Sequence, residues 1–167
     1  MIIVRRAKVG DENGMINFVN EQIRKKEWNY TGRNKLKDKN NLKETRKNLL
    51  SKKPKTYYFL AFDGKKVIGS VGITPRNNGR LRHRASIGWG VHYNYRGQGI
   101  ATKLVTTMLV FAKKKRFKRL DAEIAVENIA SVKLAKDLGF KIEGHIKKGM
   151  LLDDGRYVDT YVVGKLL

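Results

Sequence analysis

Residues 82–115 read RHRASIGWGVHYNYRGQGIATKLVTTMLVFAKKK, and the rest of the chain can be placed from this stretch. Arg82 to Tyr93 alternates as a strand does, with Ala85, Ile87, Trp89, Val91 and Tyr93 on one face and Ser86, Gly88, Gly90 and His92 on the other. The turn Arg96-Gly97-Gln98-Gly99-Ile100-Ala101 follows. From Gln98 to Arg116, Ile100, Leu104, Met108 and Phe111 recur at helical spacing, flanked by Ala101, Val105, Leu109 and Ala112. The first turn of a helix leaves backbone N–H groups without intrahelical partners and carries the positive end of the macrodipole. A turn nearly free of side chains at that point is suited to hold a phosphate. Glycine gives a strand nothing to pack, so Gly88 and Gly90 mark either a bulge or a bare face against which a ligand lies.

Working towards the N-terminus, Met1 to Val9 reads as a short strand, and Asp11 is placed to cap a helix carrying Met15, Ile16, Phe18, Val19 and Ile23 that ends near Trp28. Tyr30 to Asn41, rich in Lys and Asn, reads as a loop, and Leu42, Leu49 and Leu50 mark a second helix closed by Pro54. Thr56 to Phe62 is a strand, Asp63-Gly64 a hairpin turn, and Lys66 to Thr74 the partner strand, before Pro75 to Gly79 turns the chain into Arg82.

Towards the C-terminus, Arg119 to Val126 is a strand parallel to the one before the helix, by the right-handed crossover rule. Asn128 to Leu138 is a helix stopped by Gly139, and Phe140 to Leu151 with Arg156 to Leu167 forms a last hairpin. The expected order is βαα-βββ-αβ-αββ: an α/β (α+β) domain with a mixed, mostly antiparallel central sheet flanked by helices, spanning residues 1–167 as one unit.

The chain carries 37 Lys and Arg against 15 Asp and Glu, a net charge of +22. Thirteen of the basic residues fall between Arg24 and Lys55, against Glu27, Asp38 and Glu44. Such a field favours anionic partners. The basic runs lack the interleaved aromatics of a single-strand platform and show no zinc-finger or basic-zipper spacing, which argues against nucleic acid as the main partner. The absence of cysteine excludes disulfides, thiolate zinc sites and a thiol nucleophile, and nothing else suggests a metal. Arg5 and Arg6 interrupt the N-terminal apolar run too early for a signal peptide, and no stretch approaches the roughly 18 apolar residues of a membrane span, so a cytoplasmic location is expected.

The glycine turn is not a Walker loop, because no Gly-Lys-Ser/Thr follows it. It is not a dinucleotide fingerprint either, because Thr102 stands where a third glycine is needed. The chain instead resembles the GCN5-related N-acetyltransferase (GNAT) superfamily, whose signature Arg/Gln-x-x-Gly-x-Gly/Ala is met by Arg96, Gly99 and Ala101. Asn128 to Ser131, Leu138-Gly139-Phe140, Glu143-Gly144 and Asp154 to Asp159 are similar to the RimJ/RimL-type branch.

The resemblance implies acetyl-CoA as co-substrate, bound at the turn of Arg96, Gly97, Gln98, Gly99, Ile100, Ala101 and Thr102, with its pyrophosphate held by the backbone N–H groups from Gln98 to Thr102. Its pantetheine would lie along Trp89, Val91, His92 and Tyr93. A backbone N–H at Val91 or His92 would polarise the thioester carbonyl. Asn128 and Ser131 would contact the arm near sulfur. The implied reaction is direct transfer of acetyl to a primary amine, on a protein N-terminus or a small molecule. Many relatives protonate the leaving thiolate with a tyrosine seven residues after the asparagine, where this chain has Ala135. Ser131 is the expected substitute, with Tyr157 and Tyr161 behind it.

For the base, Asp159, Glu123 and His83 are open. The basic first half suggests an acidic acceptor, or one on an acidic protein or peptide, in a monomer or homodimer. The alternatives are a CoA-binding protein with impaired catalysis and a basic ribosome- or nucleic-acid-associated module.

Overall fold

The structure, a computed structural model, describes residues 1–26 and 36–167. Trp28, Tyr30 and the first half of the expected loop lie outside these. The order is β1 (Ile2–Arg6), α1 (Glu12–Arg24), α2 (Lys39–Leu50), β2 (Tyr57–Asp63), β3 (Lys66–Pro75), β4 (Arg84–Val91), α3 (Ile100–Lys114), β5 (Arg119–Ala125), α4 (Ile129–Asp137), β6 (Lys141–Leu151) and β7 (Tyr157–Leu166). One sheet runs β1-β2-β3-β4-β5-β7-β6, antiparallel throughout except where β4 meets β5. The expected fold class and element order are therefore observed. Among the described residues no helix is long and apolar enough to cross a membrane.

Strand alternation gives the sheet two faces, and each meets different helices. On one, Ala61, Val71, Ala85, Ile87, Ala122, Ile124 and Val163 pack with Leu104, Met108 and Ala112 of α3 and Val132 and Ala135 of α4. On the other, Leu60, Phe62 and Val67 pack with Met15, Phe18 and Val19 of α1. Burial of this kind contributes roughly 25 cal/mol per Å² of apolar surface, so it holds the helices in place without specific bonds.

The centre of the sheet contains the feature that matters most. β4 and β5 pair only over Arg84↔Arg119, Ala85↔Leu120 and Ser86↔Asp121, after which they part. Asp121 is buried at that last pair, accepting from Nε and Nη2 of Arg84 at 3.1 and 2.9 Å and from Nε of Arg119 at 2.7 Å. Two guanidiniums on one buried carboxylate satisfy its charge and fasten the strands just before they separate.

Several local expectations are corrected. Asp11 occupies the position before α1 but makes no side-chain cap. Its carboxylate instead takes both Nη atoms of Arg5 at 2.7 Å and the Lys8 N–H at 2.8 Å, charge-assisted bonds that outcompete a helix amide. Helix α1 ends at Arg24, short of Trp28. Helix α2 begins at Lys39, ahead of Leu42, because Asp38 and Asn41 form a reciprocal capping box. Asp63 pairs with Lys66, so the hairpin turn is Gly64-Lys65 rather than Asp63-Gly64; a bulge between Ala61 and Phe62 shifts the register.

Candidate functional site

β4 ends at Val91, and a short 3-10 turn, Tyr93–Tyr95, leads to the glycine turn. Gly97 and Gly99 have φ of +74° and +72°, the left-handed region that glycine adopts without strain. Gly99 is the N-cap of α3, which is why the helix starts at Ile100 and not at Gln98. A Cβ built on either glycine meets nothing within 4 Å, so the turn opens outwards. The first α3 bond in register is Lys103 N–H to Gly99 carbonyl at 3.0 Å. The amides of Ile100, Ala101 and Thr102 accordingly have no intrahelical acceptor and point along the positive end of the helix. Gln98 is exposed and Ile100 is buried, so the turn offers main chain outwards while anchoring itself inwards.

The turn is also held from behind. The His92 ring is fully buried; its Nδ1 accepts the Asn94 N–H at 3.2 Å and its Nε2 lies 2.9 Å from Glu21 of α1. These partners put the ring proton on Nε2. Tyr93 stacks on the ring at 4.3 Å, and the Tyr95 hydroxyl donates to Asp63 at 3.0 Å. The Glu21 carboxyl is held below the usual carboxylate range, chiefly by its bond to His92 and then by Lys66.

In the sequence-based expectation His92 offered its backbone N–H to a thioester. In the structure that N–H is bonded to the Ile68 carbonyl at 2.8 Å. Because antiparallel bonds alternate, Gly90 and Gly88 also turn theirs towards β3, while Ile87, Trp89 and Val91 turn theirs to the other side. That side faces the gap left by β5, and it runs straight into the glycine turn. The Val91 carbonyl there receives Arg96 Nε at 3.4 Å.

The two faces of β4 meet different helices. A Cβ on Gly69, the partner of Val91, would meet Leu104 of α3 at 3.0 Å, so Trp89 and Val91 belong to the α3/α4 face. Gly90 pairs with Ser70, which faces α1 and α2, and Gly88 has open space where a side chain would be. The bare face is therefore on the α1/α2 side, opposite the glycine turn's helix. A cavity of about 610 Å³ lies there, with Phe18, Val19, Tyr58, Leu60 and Ser70 among its walls. On the same buried stripe of α1, the Gln22 amide has no hydrogen-bond partner among the described residues at either oxygen or nitrogen.

Glu123 belongs to this face too, two residues beyond the Ser86↔Asp121 pair and on the opposite side of the gap from Gly88. Its Oε1 accepts the hydroxyl of fully buried Thr160 at 2.6 Å, which orients an otherwise exposed carboxylate. This relationship was not visible in the sequence, because it depends on the register of β5 with both neighbours.

Asp159 is placed differently. It alternates with Tyr161 and Val163 on the α3/α4 face, and both its oxygens are engaged, by His145 Nε2 at 2.8 Å and the Lys148 N–H at 2.9 Å. Lys148 sits at φ +52° in a bulge of β6, so Asp159 fastens that bulge. Its carboxyl is held low, by the Lys148 amide first and His145 after it. Of the three groups open as base, Asp159 is thus the one with both oxygens engaged by neighbouring side-chain and main-chain donors.

Tyr157 is exposed beyond the last β5–β7 pair, with Lys148 Nζ 5.8 Å from its ring. Asn128 caps α4 through Ser131 N–H at 3.2 Å, leaving the Ser131 side chain half-buried at the helix start. Ala135 is core. His83 gives its carbonyl to Lys118, a strand-end contact.

Residues 20–140 match the Acetyltransferase (GNAT) family. The chain belongs to this family. It is 31% identical over 101 residues to L-amino acid N-acetyltransferase AaaT of Escherichia coli (strain K12), covering 60% of this chain and 62% of that protein. It is 33% identical over 101 residues to N-acetyltransferase 8B of Rattus norvegicus, covering 56% and 43%. The match thus spans less than two thirds of either relative.

The GNAT-family acetyltransferase of Streptococcus pneumoniae superposes with a TM-score of 0.89 at 25% identity, over 100% of both chains. A putative acetyltransferase from Salmonella typhimurium, solved with its cofactor acetyl-CoA, superposes at 0.84 and 20% identity, over 100% of this chain and 94% of that one. The second likeness is one of fold. In GNAT terms, the open turn and the gap lie on one path across the sheet.

Proposed function

We propose that the protein is an acyltransferase that moves acetyl from acetyl-CoA directly to a primary amine, on a small molecule or a protein N-terminus. The observation that carries this reading is the continuity of the unpaired edge of β4 with the unpaired amides at the start of α3. Acetyl-CoA fits both parts. Its diphosphate suits the amides of Gln98 to Thr102, where Gly97 and Gly99 leave the approach open. Its amide-bearing arm suits the outward main-chain groups of Trp89 and Val91. Family membership supports the choice of donor. The stretch from Asn128 to Asp159 favours the RimJ/RimL-type branch.

The chemistry forms a C–N bond as the thioester C–S bond breaks. The Val91 N–H, facing the gap, is the group that would stabilise the developing oxyanion. Glu123 is the proton acceptor for the attacking amine: its side chain is exposed on the acceptor side of the gap, with one oxygen fixed by Thr160. The Ser131 hydroxyl supplies a proton to the departing sulfur and recovers one from water. Asn128 holds the α4 end in place for it.

Thermal shift with acetyl-CoA, paired with thiol release in a panel of primary amines, tests the proposal. At a ligand concentration of about 100 times Kd, linkage predicts roughly 2.7 kcal/mol of stabilisation. Absence of any shift, in a chain shown to be folded, would reject it.

A further inference from the structure

The cavity of about 610 Å³ on the α1/α2 side lies within the size range of small-molecule sites, too small for a folded partner to enter. Its charge is one-sided. Lys37, Lys47, Lys53 and Lys55 line it against a single acid, Glu44. Among the described residues, none of these four ammonium groups has a carboxylate within ion-pair distance, whereas Lys66 and Lys133 elsewhere do. Four unneutralised cations around one opening repel one another, and a cleft with low-dielectric walls concentrates their field on whatever enters. Lys47, Lys53 and Lys55 are exposed, which places charge at the mouth, while Phe18, Val19 and Leu60 make the interior apolar.

Ser70, the register partner of Gly90, also lines the cavity, so the cavity reaches the strand beside the glycine face. Gly90 is one residue from Val91, whose N–H faces the gap. One molecule can therefore keep an anion at the lysine mouth, lay an apolar body across the floor and present an amine over the glycine face.

We infer that the acceptor is a small primary amine bearing a carboxylate, and that Lys47, Lys53 and Lys55 select it through that carboxylate. The inference rests on the acetyl-transfer reading for the fate of the amine, but the anion preference can be measured without it.

Binding of 3-phenylpropionate and of its uncharged counterpart 3-phenylpropanamide to the full chain is measured by calorimetry at low and high salt. L-phenylalanine and L-phenylalaninamide are compared as acceptors in parallel. The carboxylate of each pair is expected to be favoured by about tenfold, the worth of two exposed ion pairs. Salt and the double substitution Lys53→Gln with Lys55→Gln both shrink the preference, while the acetyl-CoA affinity of the variant stays unchanged and reports that it is folded. Equal binding of the acid and amide probes, or binding of neither, overturns the inference. Loss of acetyl-CoA binding by the unmodified chain instead overturns the acetyl-transfer reading and leaves the probe comparison intact.

Discussion

The buried imidazole of His92 lies 2.9 Å from the carboxylate of Glu21, so the first helix is fastened to the residue that follows β4 and precedes the glycine turn. The carboxyl of Glu21 is depressed below its ordinary value of 4.5, first by His92. A depressed acid contributes stability above its unfolded value and loses it as pH falls through the folded one. Melting temperatures of the wild type and Glu21→Gln should therefore differ at neutral pH, with the wild type higher, and converge in acid below 4.5. Parallel curves across that range would contradict this role.

Gly99→Val separates binding from folding. A Cβ there meets no atom within 4 Å, but φ is +72°, so the substitution costs about 1–2 kcal/mol of backbone strain. Acetyl-CoA affinity should fall further than that strain explains, by at least about tenfold, because the side chain projects into the open approach to the amides. Calorimetry on the folded variant measures it.

Glu123→Gln should lower kcat by about 100-fold, in the range for a lost general base, with acetyl-CoA affinity unchanged. Thr160→Val should fall in the same direction by less, since it removes only the bond that orients the carboxylate. Asp159→Asn should leave kcat near wild type and lower the melting temperature, because Asp159 fastens the β6 bulge. The reverse ranking in steady-state rates would return the base to Asp159.

Gln22→Leu should stabilise the ligand-free protein. Its amide is buried with no partner among the described residues, and an unmade bond of that kind costs about 1–3 kcal/mol. Leucine is close in volume and continues the Met15, Phe18, Val19 stripe. A gain in denaturation midpoint is expected, and a loss would mean that the amide serves the fold.

The sequence carried the fold well because each element announces itself locally. The alternation in β4, the helical stripe behind Gly99 and the capping residues need no partner to be read. Errors came where two local signals competed. Asp11 looked like a cap until Arg5, on a neighbouring strand, claimed its carboxylate. Asp63-Gly64 looked like a hairpin turn until the bulge after Ala61 moved the register.

The site was half legible for the same reason. The glycine turn is contiguous, so its amides could be named. The choice among the carboxylates was not, since Glu123 and Asp159 differ by which face they occupy, and that follows from pairings such as Ser86↔Asp121 between distant segments. The direction of Gly88 and Gly90 was likewise fixed only by Ser70 on the adjoining strand.

The parting of β4 from β5 gives this sheet an interior fringe where strands of other sheets would be laced together. Peptide groups in that fringe must be hydrated when nothing bridges them, so the middle of the molecule, ordinarily its slowest region to exchange deuterium, should be leaky at Trp89 and Val91. A molecule that stitches the fringe closed would make the protein stiffen from its centre outwards.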